Sequence, residues 1–171
     1  IEFIMDKIVK YVSINQLKKS GDPIIIVAAV NEAEAILKSC EMHNIKIAGI
    51  CDSEKRKSAV PFCGIKVYHT PSLPTFYPKA RFIIASQHIQ ECAEQLISLG
   101  YNEFYSGLEL LSDFKVEKFN YQVSKSYMAS KLAVWKKTHN YYFNDDKIYM
   151  RSLDIMITTK CSLKCRNCSN L

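Results

Sequence analysis

Three cysteines, Cys161, Cys165 and Cys168, stand within one short stretch near the end of the sequence. Spacings of four and three residues let a single loop wrap an iron–sulfur cluster so that three irons each receive one thiolate. The fourth iron of a four-iron, four-sulfur cluster then has no local cysteine. An open iron can coordinate a small molecule, which favours chemistry over electron storage. The same residues leave two alternatives: a zinc site completed by a fourth ligand such as His139 or Cys63, and plain reduced thiols. The remaining four of the seven cysteines, Cys40, Cys51, Cys63 and Cys92, are scattered among apolar or helical stretches, where a free cysteine behaves as a small buried hydrophobe. An odd total, a tight cluster and no secretion signal point to a metal in a reducing, cytoplasmic setting rather than to a disulfide framework.

The loop needs an element to deliver it. Ser152 to Lys160 reads as a strand running into the cysteines. Before it, a helix over about 121–138 carries Met128, Leu132 and Trp135 on one stripe, so that residues 113–150 form a helical linker that packs on something. The Tyr and Trp residues of this linker read as packing surface rather than as a binding platform.

Upstream the pattern is that of an α/β domain over residues 22–112. Ile24 to Ala29 is a short continuous apolar run, the mark of a strand buried on both faces of a parallel sheet. Asn31 is placed to cap a helix over about 32–43, and Ile45 to Ile50 is a second strand ending at Cys51-Asp52. A polar loop, a short strand at 64–68 and a linker punctuated by Pro71, Pro74 and Pro78 follow. Ala80 to Ala85 is a third long apolar strand, Ser86 and His88 precede a helix over about 88–99 that Gly100 stops, and Glu103 to Tyr105 is a last strand. Alternation of buried strands with amphipathic helices predicts a doubly wound, mainly parallel sheet. Residues 1–21 read as a helical lead, with Ile4, Ile8 and Val9 helically spaced and Gly21-Asp22-Pro23 ending it. Position 1 is not a methionine, and Met5 is a candidate start.

The chain has 171 residues, a length for one α/β domain and a modest extension. Its 48% hydrophobic and 23% charged residues are ordinary for a soluble protein, and no unbroken apolar run is long enough for a membrane span. The net charge of +6 is mild and lies mostly late, from Lys125 to Arg166, where a solvated helical face accounts for it as well as an anionic partner does. Nucleic acid is not the expected partner. His43, His69 and His139 have no obvious carboxylate or cysteine partner, and no nucleophile-elbow, phosphate-loop or zinc-protease pattern is present.

The run Ile157-Thr158-Thr159-Lys160-Cys161-Ser162-Leu163-Lys164-Cys165-Arg166-Asn167-Cys168 resembles the first barrel strand and cluster loop of the radical S-adenosylmethionine enzymes. The likeness covers about the last twenty residues. It implies that Cys161, Cys165 and Cys168 hold a four-iron, four-sulfur cluster. It further implies that the open iron binds the amino and carboxylate groups of S-adenosylmethionine, and that one-electron reduction cleaves this cofactor to a 5′-deoxyadenosyl radical. Asn167 stands where an aromatic residue is common, a substitution that bears on contact with the adenine and not on cluster ligation. A small-molecule or carrier-linked substrate and an electron donor are the implied partners. Residues 151–171 would be the start of a barrel whose remaining strands lie downstream in this family, so the chain is expected to be the N-terminal part of a longer enzyme.

Residues 22–110, with Ile47-Ala48-Gly49-Ile50-Cys51-Asp52 and Gly64-Ile65-Lys66-Val67, resemble the Rossmann-like domains of sugar-nucleotide and surface-polysaccharide enzymes. A nucleotide-binding member carries three glycines after its first strand, to bring a pyrophosphate against the backbone and a helix N-terminus. Here Ala29, Asn31 and Glu34 occupy the corresponding positions, and Glu34 in the first helical turn would repel a phosphate. Asp52 sits where a ribose-binding acid belongs, but is equally a turn residue. A scaffold or partner-docking role is expected of this domain ahead of dinucleotide or nucleotide-sugar binding.

Overall fold

The computed structural model describes residues 8–19 and 21–144. Met5, the strand expected at 152–160 and the four residues Cys161, Cys165, Asn167 and Cys168 lie outside these described residues.

Continuous apolar runs become the central strands. β2 (Ile24–Val27) is buried at every residue, and β3 (Ile47–Asp52) and β5 (Arg81–Ile84) flank it. With β4 (Val67–His69), β6 (Phe104–Ser106) and β1 (Val9–Tyr11) they form one six-stranded sheet in the order β1-β6-β5-β2-β3-β4, parallel at every pairing. Parallel strands need crossovers, and the crossover helices cover both faces. Ile24 and Ile26 of β2 and Ile83 of β5 point into a core shared with α2 (Asn31–Met42) and α5 (Lys125–Tyr142). Ile25, Val27, Phe82 and Ile84 point the other way, against α4 (Ile89–Ile97) and the short α3 (Leu73–Phe76). The fold is therefore the doubly wound, Rossmann-like α/β arrangement expected from the sequence.

Left-handed residues end the two crossover helices on either side of β2. Gly100 (φ +92°) follows α4, where its N–H donates to Ile97 O at 2.9 Å and the Tyr101 N–H to Leu96 O at 3.2 Å. Asn44 (φ +56°) does the same for α2, with the Ile45 N–H on Cys40 O at 2.8 Å. Glycine and asparagine are the residues that adopt this backbone most readily.

Three expectations are corrected. The stretch read as a helical lead holds the edge strand β1, paired with β6 through Val9–Phe104, Lys10–Tyr105 and Tyr11–Ser106. Among its described residues helix is confined to α1 (Ile14–Lys18), started by a capping box in which Ser13 and Gln16 satisfy each other's backbone N–H. Asn31 does not cap α2: it is the first helical residue, and Val30 at the cap position offers no side-chain hydrogen bond. The helix of the expected linker begins at Lys125 rather than near 121 and lies on the sheet, burying Met128, Leu132, Trp135 and His139. These residues are spaced at three to four positions, one stripe of an amphipathic helix.

Candidate functional site

From β2 the chain runs through α2 to β3 on one side, and later through α3 to β5 on the other. The strand order therefore reverses beside β2, and the crevice beyond the carboxyl ends of β2, β3 and β5 is where an open α/β sheet accepts a ligand. A cleft of about 330 Å³ lies there, lined among others by Asp52, Ser53, Lys57, Thr70, Ser86 and Cys92.

The turn leaving β2 decides what this cleft can hold. Ala28 lies in the left-handed region (φ +78°), which a Cβ makes costly, by about 1 kcal/mol or more. Its N–H completes the ladder to Cys51 O at 2.7 Å. The next N–H, of Ala29, donates to Asp52 Oδ2 at 2.8 Å. Lys57 Nζ donates to the same oxygen at 2.9 Å, and the Glu54 N–H donates to Oδ1 at 2.9 Å. Lys57 also donates to Ala29 O at 3.3 Å. Asp52, only 6% exposed, thus ties the β2–α2 turn to the loop after β3, with both oxygens engaged. In that state Oδ2 already takes two donors and Oδ1 one, so a ribose hydroxyl would compete with these contacts, and the Ala29 N–H is turned to a carboxylate rather than to a phosphate.

Glu34 is buried, but it does not line the cleft. Its carboxylate accepts the Gln122 N–H at 3.1 and 3.3 Å and lies 3.6 Å from Lys38 Nζ, toward the segment that leads into α5. The phosphate repulsion expected of it is therefore not supplied at the crevice. Glu32, one position into the same turn, is the buried acid nearer the β5 side, where its Oε1 accepts from Gln87 Nε2 at 3.2 Å. Both acids sit at the positive end of α2, which favours a carboxylate there.

The thiols at the crevice are not nucleophiles. Burial pushes Cys51 up to about 12, and burial likewise raises Cys92, so both remain protonated at neutral pH. Ser86 Oγ accepts the His88 N–H at 3.0 Å, in a short turn before α4, while the His88 side chain makes no cap hydrogen bond. Ser86 thus holds the turn just before the helix rather than capping it.

His139 is fully buried and both ring nitrogens are engaged, Nδ1 with Ser106 Oγ at 2.8 Å and Nε2 with Ser86 O at 3.0 Å. A carbonyl only accepts, so Nε2 carries the hydrogen and Nδ1 accepts from the serine hydroxyl. Burial lowers its pKa to about 4, and the ring stacks on Trp135 with centroids 3.9 Å apart. A ring with its only lone pair taken cannot complete a zinc site, which removes His139 from that alternative as long as α5 stays docked. Cys63 is exposed at a tight turn (φ +49°), with Gln122 Nε2 at 3.6 Å from its sulfur. Among the described residues no three His, Cys, Asp or Glu side chains are grouped to hold a metal ion.

Compared with protein-family models, with curated proteins and with solved structures, the chain matches none. Among the described residues no helix is long and apolar enough to cross a membrane.

Two features of the site were not anticipated. Lys57 is the partner of Asp52, and the only sign of it in the sequence is a cation within the polar loop after β3. The Ser106–His139–Ser86 chain joins three segments distant in sequence; its sole local trace is that His139 continues the stripe of Leu132 and Trp135. The weight of the Asp52 contacts is testable. Asp52→Ala leaves the Ala29 and Glu54 N–H groups without their acceptor and takes from Lys57 its shortest contact, leaving it Ala29 O and the Glu54 carboxylate, and is expected to lower stability by about 2 kcal/mol in urea denaturation. A change below about 0.5 kcal/mol, the size usual for a surface substitution, would show that water replaces the carboxylate freely.

Proposed function

We propose that the chain belongs to a radical S-adenosylmethionine enzyme, in which Cys161, Cys165 and Cys168 bind a four-iron, four-sulfur cluster and the Rossmann-like domain is a docking scaffold. The single observation that carries the reading is the spacing of these three thiols within the Thr-Thr-Lys-Cys context. The donor set fits the cluster: thiolates suit iron–sulfur ligation, and three of them leave one iron for a small molecule. Of the two described side chains named as a fourth zinc ligand, His139 has no free lone pair, while Cys63 is exposed and open to that role. When bound, the cluster would hold S-adenosylmethionine by its amino and carboxylate groups and supply the electron that cleaves it. Asn167, in place of an aromatic residue, would weaken contact with the adenine and leave cluster ligation unaffected.

The docking role is supported by the engagement of Asp52 and of the Ala29 N–H with each other, which leaves the turn after β2 without the open backbone a pyrophosphate requires. Nucleotide-sugar binding would have to break these contacts first.

Anaerobic incubation with ferrous iron and sulfide tests the proposal. The protein should take up iron and acid-labile sulfide and develop broad visible absorption, and Cys161→Ala, Cys165→Ala and Cys168→Ala should each abolish it. Stoichiometric zinc with no iron, or a cluster that survives the three substitutions, would end the reading. In the protein carried through the barrel that the resemblance implies, dithionite should release 5′-deoxyadenosine from S-adenosylmethionine.

A further inference from the structure

The opposite end of the sheet holds a second cleft, of about 420 Å³, at the amino ends of β2, β3 and β5. Three separate segments bring cations to it: Lys18 and Lys19 at the end of α1, Lys46 in the turn between α2 and β3, and Arg81 at the first position of β5. The acid among its lining residues is Asp22. The ammonium groups of Lys18, Lys19 and Lys46 are exposed and form no ion pair or hydrogen bond among the described residues.

Arg81 differs from the three lysines in being fixed. Its Nε donates to Asp22 O at 2.9 Å and its Nη1 reaches Leu17 O at 3.5 Å, both main-chain carbonyls, so the guanidinium is oriented without a carboxylate neutralising it. Gly21 lies directly against it, since a Cβ there would come within 3.4 Å of the guanidinium carbon. Its Nη2 has no partner among the described residues. The floor of the cleft includes the buried apolar residues Leu17, Ile24 and Ile45.

We propose that this cleft binds the phosphoryl group of a small molecule. Like charges gathered without partners repel one another, and a dianion relieves several of them together, whereas a single carboxylate relieves fewer. A pre-oriented guanidinium with free N–H groups suits phosphate oxygens, and mobile lysines around it supply further donors. The volume is that of a small-ligand site, and the apolar floor can cover a base, ring or short chain attached to the phosphate. The cleft shares no lining residue with the crevice at the carboxyl ends and the proposal uses none of the three clustered cysteines, so it stands or falls apart from the function proposed above.

Thermal unfolding and amide chemical shifts test it, with inorganic phosphate, pyrophosphate, adenosine monophosphate and adenosine as probes and sodium chloride at matched ionic strength as reference. Pyrophosphate should raise the melting temperature saturably and shift the amides around Lys18, Lys46 and Arg81. Adenosine should do neither, and a response to the monophosphate stronger than to inorganic phosphate would show that the apolar floor takes part. Lys46→Glu should weaken pyrophosphate binding by about tenfold or more, and Lys18→Glu with Lys46→Glu should remove it, while Lys118→Glu, an equal charge change elsewhere, leaves it. Unchanged Trp135 fluorescence checks that the variants remain folded. Equal effects of pyrophosphate and chloride would overturn the proposal. So would shifts confined to Ala28 to Glu32, or binding of a single-stranded oligonucleotide without any response to pyrophosphate.

Discussion

Lowering the pH from neutral toward 4 is expected to remove about 3 kcal/mol of stability through His139 alone, and to loosen α5 from the sheet. The folded ring titrates at about 4 and the unfolded ring at its ordinary 6.5, because burial disfavours the imidazolium. Between these values the unfolded chain binds a proton that the folded chain does not. Stability from this group is therefore fully present above 6.5 and is lost as the pH falls through the window to the folded value. Protonation also breaks the acceptor role of Nδ1 toward Ser106 Oγ, the contact that ties α5 to the end of β6. Trp135, the one tryptophan of the chain, stacks on the ring and reports the event directly. Urea midpoints measured by its fluorescence should fall steadily from pH 6.5 to pH 4.5. His139→Gln should flatten that slope while costing about 1–3 kcal/mol at pH 7, from the serine and carbonyl left without the ring. An unaltered slope in the variant would place the acid sensitivity elsewhere.

Trp135 carries the second large effect. Its side chain is fully buried between the sheet and α5, and Trp135→Ala should cost about 3–5 kcal/mol, a large part of what an α/β domain of this size has. Trp135→Phe should cost markedly less, about 1–2 kcal/mol, for two reasons. Much of the ring volume is retained, and the indole Nε1, buried without a hydrogen-bond partner among the described residues, gives up no hydrogen bond to them when it is removed. Urea denaturation followed by circular dichroism measures both variants. A Phe variant as unstable as the Ala variant would mean that the indole N–H has a partner in solution, such as a buried water.

The central strands were legible because strands buried on both faces must be apolar at every position, as Ile24 to Val27 and Phe82 to Ile84 are. A helix-length connection between such strands carries the chain back to the end where it started, which leaves parallel pairing as the outcome. Cys161, Cys165 and Cys168 were legible as a proposed ligand set for a different reason: spacing within one short stretch needs no distant residue to announce itself. What the sequence could not determine is whatever depends on a partner far along the chain. Val9–Tyr11 has two exposed residues of three and no strand periodicity; it is a strand because β6 offers an open edge. The position of Asp52 after a strand could be read locally, whereas the filling of its two oxygens by Ala29, Glu54 and Lys57 required the β2–α2 turn to arrive beside it. His139 looked unpartnered because Ser106 and Ser86 lie 33 and 53 residues away, and only the docking of α5 across the ends of β5 and β6 brings the three together. Hydrophobic period and ligand spacing are local properties of a chain; the satisfaction of buried polar groups is settled by tertiary structure, since each such group must find its partner wherever the fold places it.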